Sequence, residues 1–275
     1  MNYAAITVRQ LTPHIGAEVE GIDITRPLAP SVLRDLERAL ADHLVLFFRD
    51  QPFTLESQKA FGRLFGDLHI HPNTPGPQGH PEILPVHADA ESKRVAGERW
   101  HSDVSCDPEP PMGSILHLHT VPPVGGDTLF ASMYAAYDAL SPRLKTYLDG
   151  LVALHAGEVW YRHTNALIGV DDSGRVFPSA RHPVVRTHPV TGRKALFVNR
   201  GFTQRIEGVP LQESAAILDH LFSVAERPDF QVRFQWRPHS VAFWDNRATQ
   251  HLAIWDYHPR VRSGHRVTIK GDRPF

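Results

Sequence analysis

Between Phe230 and Trp236 the chain alternates without a break: Phe230, Val232, Phe234 and Trp236 are apolar, while Gln231, Arg233 and Gln235 are polar. Successive side chains of an extended segment point to opposite faces, so this period of two predicts a strand with one buried and one wet face. Pro238-His239 then predicts a turn and Ser240 to Trp244 a returning strand. Val267 and Ile269, alternating with Arg266, Thr268 and Lys270, predict the last strand. Upstream, Ile6 to Ile24 is cut by Pro13, Gly16 and Gly21 into strand-sized pieces, Leu44 to Phe48 forms a compact apolar run, and Ser114 to His119 is strand-like.

Helical spacing is confined to flanking segments. Val32, Leu33, Leu36, Ala39 and Leu40 fall on one face behind Ser31, a candidate N-cap. A second helix starts at Thr54 with Phe61, Leu64 and Phe65 on one side. A third opens on Ser141-Pro142, with Leu144, Tyr147, Leu148 and Leu151 following, and a fourth covers Leu211 to Val224, with Ile217, Leu218, Leu221 and Phe222 inward. Residues 71–99 read as irregular, because Pro72, Pro75, Pro77, Pro81 and Pro85 oppose any long helix, and Glu91 to Arg99 reads as a mobile polar loop. Tyr161 to Arg181 reads as a loop or lid. Short strands, few helices, no repeat and no linker predict one domain over residues 1–275, mainly β or α+β and barrel-like.

Charge excludes some functions. The 29 basic and 30 acidic side chains nearly cancel, so no global field draws the chain to nucleic acid or anionic membrane. A single cysteine, Cys106, fits a reducing compartment and reads as a buried thiol. The first residues lack a basic-then-apolar leader, and no apolar run nears the roughly 18 residues that cross a bilayer. The expectation is a soluble cytoplasmic protein.

The 18 histidines raise the question of a metal. Two His-x-Asp tripeptides occur, His87-Ala-Asp89 and His101-Ser-Asp103, and chance alone supplies about one in such a chain. On a strand the imidazole and carboxylate of such a tripeptide share a face and can converge on one ion. A third ligand from elsewhere would complete a two-His, one-carboxylate triad with three open positions, the usual site of non-haem Fe(II) oxygenases. His87 lies in the proline-rich segment and reads as a solvated loop residue. His101 follows Trp100 and leads toward the strand-like Ser114 to His119.

Longer motifs carry more information. Trp100-His-Ser-Asp-Val104, Gly125-Gly-Asp-Thr128, Trp244-Asp-Asn-Arg-Ala-Thr-Gln-His251, Arg262 and His265-Arg266 occur in that order. Ile15-Gly-Ala-Glu-Val19, Phe65 to Pro72, His182 to Pro189 and Leu196-Phe-Val-Asn199 accompany them. In these the chain resembles, nearly end to end, the taurine dioxygenase / 2,4-dichlorophenoxyacetate dioxygenase family of Fe(II)- and 2-oxoglutarate-dependent enzymes. The resemblance implies a double-stranded β-helix (jelly roll, cupin-like) with helices outside, and homo-oligomers, dimers or tetramers. It implies His101, Asp103 and His251 as catalytic metal ligands, with Fe(II) as metal and 2-oxoglutarate and O2 as co-substrates. Arg262 and Thr128 match the residues that hold the distal carboxylate of 2-oxoglutarate, and Arg266 matches the arginine beside the metal that holds the substrate anion, with His71. Phe202 matches a pocket aromatic.

Two positions depart from the taurine pattern: Thr74 stands for a tyrosine and Gly97 for an asparagine. That opens the expected substrate class from taurine to bulkier sulfonates, alkyl sulfates and aryloxy-carboxylates, with C–S or C–O cleavage after hydroxylation. Asp245, Asn246 and Arg247 are expected to brace the turn beside the metal, and His69, His117, His119, His155, His182 and His188 to serve structure. The competing expectations are a zinc hydrolase on the same triad and a non-catalytic barrel that binds a small anion.

Overall fold

The computed structural model describes residues 3–74 and 76–275. The chain opens on β1 (Thr7–Gln10), β2 (Ala17–Glu20), α1 (Pro30–His43), β3 (Val45–Phe48), α2 (Leu55–Arg63) and β4 (Ile83–Ala88). Its middle supplies β5 (Gly113–Thr120), β6 (Thr128–Ser132), α3 (Met133–Asp138), α4 (Pro142–Leu148), β7 (Val152–Ala156), α5 (Glu158–Leu167), β8 (Ser179–Pro183), β9 (Val185–Thr187), β10 (Lys194–Leu196) and β11 (Thr203–Ile206). The last part is α6 (Leu211–Ala225), β12 (Gln231–Phe234), β13 (Ser240–Asp245), β14 (Thr249–Ala253) and β15 (Arg262–Ile269). The architecture is mainly β with flanking helices.

A seven-stranded sheet runs β1-β2-β3-β13-β5-β15-β4, and a three-stranded sheet runs β12-β6-β14. Burial on both faces explains why β3 reads as a continuous apolar run. Its Leu46 and Phe48 pack with Val241, Phe243 and the apolar faces of α1 and α2. Its Val45 and Phe47 point the other way, with Ala242 and Trp244, toward Phe130, Val232 and Phe234 of the small sheet. Phe47 stacks on Phe234 at 3.9 Å between ring centroids and meets Phe130 edge-on at 5.6 Å. Each of these rings contributes about 2–3 kcal/mol of burial, and together they fix the spacing of the two sheets from which the site is built.

Several boundaries differ from the sequence expectation. The first helix begins at Pro30 with Ala29 as N-cap, so Ser31 is inside the first turn; the fixed φ of Pro30 outweighs the hydroxyl. Leu64 and Tyr147 are exposed. Thr54 and Ser141 do cap their helices. The stretch 71–99 is not irregular throughout: β4 occupies 83–88 and carries His87, which pairs with Ser263. Pro85 is tolerated because β4 is an edge strand and can spare one donor; Pro75 lies outside the described residues. Tyr161 belongs to α5 rather than to a loop, and its helix bonds persist to Leu167. The strands either side of Pro238-His239 do not return on each other: β12 pairs with β6 and β13 with β3 and β5, so the turn crosses between sheets. No helix among the described residues is long and apolar enough to cross a membrane.

Candidate metal centre and its cavity

His101 and His251 are opposed by backbone pairing. The His101 N–H donates to the His251 carbonyl at 3.2 Å, and the His251 N–H donates back at 2.9 Å. This bridge is isolated, so His101-Ser-Asp103 is not a strand as the tripeptide argument supposed. After His101 the chain turns, with Val104 at φ +45°. Asp103 still converges, because its N–H is taken by Asn246 Oδ1 at 3.3 Å instead of by a neighbouring strand.

The donor atoms meet. His101 Nε2 lies 3.6 Å and His251 Nε2 3.9 Å from Asp103 Oδ1. Among the described residues these three form the group of side chains able to hold a metal ion, with ligand atoms all within 4.8 Å of one another. His101 Nδ1 faces the Arg99 carbonyl at 2.7 Å, which places its proton there and leaves Nε2 as a lone-pair donor. Burial, reinforced by His101, holds the His251 pKa well below the usual imidazole range. Burial opposes ionisation of Asp103, but Arg266, His251 and His101 outweigh it and hold the carboxyl well below its usual range. Two neutral imidazoles and a carboxylate suit a divalent first-row metal.

A hydrogen-bond chain fixes the carboxylate. Ser114 Oγ donates to Asp103 Oδ2 at 2.7 Å, and Asn246 Nδ2 donates to Ser114 Oγ at 3.0 Å. Asn246 Oδ1 in turn accepts from Trp244 Nε1 at 2.9 Å. Asp245 accepts from Arg247 and faces His188 Nε2 at 3.0 Å, so the expected bracing by residues 245–247 is present. Gly201 packs against His101 so closely that a Cβ there would lie 2.9 Å from His101 Cβ. At Gly97, φ is +84° and a Cβ would press on His101 Cε1 at 3.3 Å, so glycine at that position also answers a backbone need.

The triad opens on a cavity of about 330 Å³. His71, Thr74, Gly97, Thr128, Phe202, Arg262 and Arg266 all line it, so every site residue expected from sequence faces one space. Arg262, only 3% exposed, donates to the Gly126 carbonyl at 3.0 Å and to Thr128 Oγ1 at 3.3 Å, and among the described residues it forms no ion pair with a carboxylate. Burial pulls its pKa down, with Tyr257 and Asp127 opposing. Arg266 Nη1 donates to Asp103 Oδ1 at 2.6 Å, while its buried Nε has no partner. His71 Nδ1 accepts from the N–H groups of Asn73 and Thr74, which leaves the ring proton on Nε2; burial, with Arg266 near, lowers its pKa to about 3.

Sequence reasoning missed five contributors: Ser114, Trp236, Trp160, Tyr161 and Arg94. Trp236 donates its indole N–H to Thr128 Oγ1 at 3.0 Å and lies under the Arg262 guanidinium. Trp160, Tyr161 and Arg94 line the cavity. Ser114 and Trp236 carried only strand periodicity, and Trp160 lies in the first turn of α5, which the sequence did not announce. Cys106 is fully buried against Tyr161, the buried thiol that was expected, and burial pushes its pKa up to about 12. His87, exposed and paired with Asp89, stays outside the cluster. A larger open groove of about 690 Å³ near Arg9, Glu18 and Arg49 is filled by ion pairs rather than convergent ligands.

A family model described as taurine catabolism dioxygenase TauD, TfdA family matches residues 7–268. The chain is 36% identical over 286 residues to an alpha-ketoglutarate-dependent sulfonate dioxygenase of Saccharomyces cerevisiae, covering 99% of this chain and 69% of that one. It is 35% identical over 281 residues to an alpha-ketoglutarate-dependent sulfate ester dioxygenase of Pseudomonas putida, covering 98% and 91%. The crystal structure of a taurine dioxygenase from Burkholderia xenovorans matches it at a TM-score of 0.85 and 38% identity, covering 98% and 93%.

Proposed function

The chain belongs to the TauD, TfdA family of dioxygenases, and from that premise we propose that it is an Fe(II)- and 2-oxoglutarate-dependent dioxygenase. In this reading it is one domain with a double-stranded β-helix core, and it hydroxylates a small anionic organic substrate: a sulfonate, an alkyl sulfate or an aryloxy-carboxylate. One observation carries the reading. Arg262 is a buried guanidinium in the cavity of the His-Asp-His group, and among the described residues no carboxylate is bonded to it. Burying such a charge costs several kcal/mol unless an anion answers it. The distal carboxylate of 2-oxoglutarate is such an anion, and a guanidinium grips a carboxylate with two parallel hydrogen bonds. A zinc hydrolase has no use for Arg262, and the relatives' names favour the dioxygenase over a non-catalytic barrel.

His101, Asp103 and His251 would hold the iron through the two Nε2 atoms and Oδ1. When bound, the iron supplies the oxidising chemistry that couples decarboxylation of 2-oxoglutarate, with O2, to hydroxylation of a substrate carbon. The chain's own residues supply position. Ser114 and Asn246 hold Asp103 so that Oδ1 faces the imidazoles. Thr128, fixed by Trp236, presents its hydroxyl beside Arg262. Arg266 spends Nη1 on Asp103 Oδ1 and keeps its buried Nε unspent, so its guanidinium has a donor left for the substrate anion. The His71 Nε2–H adds a second donor. Phe202, Tyr161 and Val104 form the apolar cluster that keeps water out. Thr74 and Gly97 leave room for substrates bulkier than taurine. If the hydroxylated carbon bears sulfur or an ether oxygen, the product collapses to a carbonyl compound and sulfite, sulfate or a phenol.

The test is a panel of sulfonates, alkyl sulfates and aryloxy acids scored by succinate release and by sulfite, sulfate or phenol formation. His101→Ala is expected to abolish substrate-dependent succinate. Undiminished turnover, or hydrolysis without oxygen and keto acid, refutes the assignment.

A further inference from the structure

Three guanidinium groups line the cavity, and the proposed chemistry uses two of them. The third belongs to Arg94, which lies in the segment between β4 and Trp100. Its side chain is 10% exposed. The backbone around it is pinned: Val95 is buried against Ala88 and Tyr257, and the Gly97 carbonyl accepts from the Ala253 N–H at 2.8 Å, two residues beyond His251. The guanidinium sits over the Trp160 ring of α5 at 5.4 Å, and both residues line the cavity.

Arg94 is poorly answered. It has five N–H donors. One Nη2 contact reaches the Val95 carbonyl at 3.4 Å, and Nε has no hydrogen-bond partner. The nearest carboxylate, Glu98, stands 3.8 Å from Nε, outside hydrogen-bonding range. The face of Trp160 stabilises the charge but cannot accept the in-plane N–H groups. A carboxylate or sulfonate edge can accept two of them at once. Burial pulls the pKa of Arg94 down, with Glu98 opposing and the neighbouring Arg99 adding to the shift.

We propose that Arg94, held on Trp160, is a second anion anchor, so that the preferred substrate is an organic acid with a negative group at each end: one for Arg266, the other for Arg94. The inference rests on the dioxygenase reading above and narrows its substrate class. It also gives a charge reason against taurine, whose ammonium would approach a buried guanidinium. Arg94 is then a specificity residue that touches substrate at the end remote from the reacting carbon.

Three probes share an ethanesulfonate frame and differ at the tail, which is an ammonium in 2-aminoethanesulfonate, a methyl in propane-1-sulfonate and a carboxylate in 3-sulfopropanoate. Their binding is measured calorimetrically under anaerobic conditions, with metal and 2-oxoglutarate present, on the full chain and on Arg94→Gln and Arg94→Glu. The wild-type chain is expected to favour 3-sulfopropanoate over propane-1-sulfonate on the order of tenfold, the worth of one charge-assisted hydrogen-bonded contact, with 2-aminoethanesulfonate weakest. Arg94→Gln removes the preference and Arg94→Glu inverts it. A flat order in the wild-type chain, a preference that survives in Arg94→Gln, or an equal loss for all three probes overturns the proposal, the last because it marks Arg94 as a wall of the cavity only. Succinate release measured in parallel separates the two readings. An Arg94-dependent order without turnover of any probe or panel compound supports the anchor and counts against the dioxygenase; turnover with a flat order does the reverse.

Discussion

Replacing Arg262 with methionine should leave the unliganded protein as stable or more stable while removing most of its affinity for 2-oxoglutarate. The residue is 3% exposed and bonded only to a carbonyl and a hydroxyl. Those two bonds return a few kcal/mol at most, against a desolvation cost of several kcal/mol. An apolar side chain of similar length therefore changes unfolding free energy by about 0 to 2 kcal/mol in the stabilising direction. Binding moves the opposite way. Losing a bidentate contact to a carboxylate costs about 3 kcal/mol, or roughly 150-fold in affinity. At a 2-oxoglutarate concentration about 100 times the wild-type Kd, ligand stabilisation is about 2.7 kcal/mol; in the variant it falls to about 0.3 kcal/mol. Calorimetric titration of 2-oxoglutarate with Mn(II) in the metal site, together with thermal unfolding with and without the keto acid, measures both. An affinity within threefold of wild type, or an unliganded variant destabilised by more than about 3 kcal/mol, would show that Arg262 serves the fold rather than the co-substrate.

Two further perturbations test the surroundings of the site. Ser114→Ala leaves Asp103 Oδ2 and Asn246 Nδ2 without their shared hydroxyl; metal affinity should fall about 10- to 100-fold, read by chelator competition, and a Kd within twofold of wild type would remove Ser114 from the positioning role. His155 is fully buried against Ser105 and Thr203, and burial, with His182 near, lowers its pKa to about 3. The unfolded chain takes up a proton below about pH 6.5 and the native state does not until about pH 3, so stability declines through that window as pH falls. His155→Gln should remove about 2 kcal/mol of the decline between pH 6.5 and 4.5, with a slope that approaches about 1.4 kcal/mol per pH unit at the acid end; parallel urea-unfolding series for the two proteins would refute it.

What the sequence revealed and what it hid follow from the range of the interactions. The alternation from Phe230 to Trp236 foretells β12 because a strand's two faces are written into neighbouring residues. All ten expected site residues face one cavity; His71, His101, Asp103, Thr128, His251, Arg262 and Arg266 were legible because they belong to the motifs that carry the resemblance, and Thr74, Gly97 and Phe202 only by their place between them. Boundaries failed where a local signal met a tertiary one. Proline-rich 71–99 hides β4, since an edge position excuses Pro85 and only the sheet order reveals that edge. From Tyr161 the chain reads as a loop because the stretch to Arg181 is polar and carries Gly and Asp; the buried Tyr161, packed with Val104, Cys106 and Phe202, anchors a helix there instead. Arg94 and Trp236 show the limit most clearly. In sequence one is a cation in a polar stretch and the other the last member of an alternating run. What makes each consequential is what stands across from it: a tryptophan 66 positions away under Arg94, a threonine 108 positions away for Trp236. No window along the chain contains either pair, so charge and periodicity could mark these residues as unremarkable and still be correct about their strands and loops.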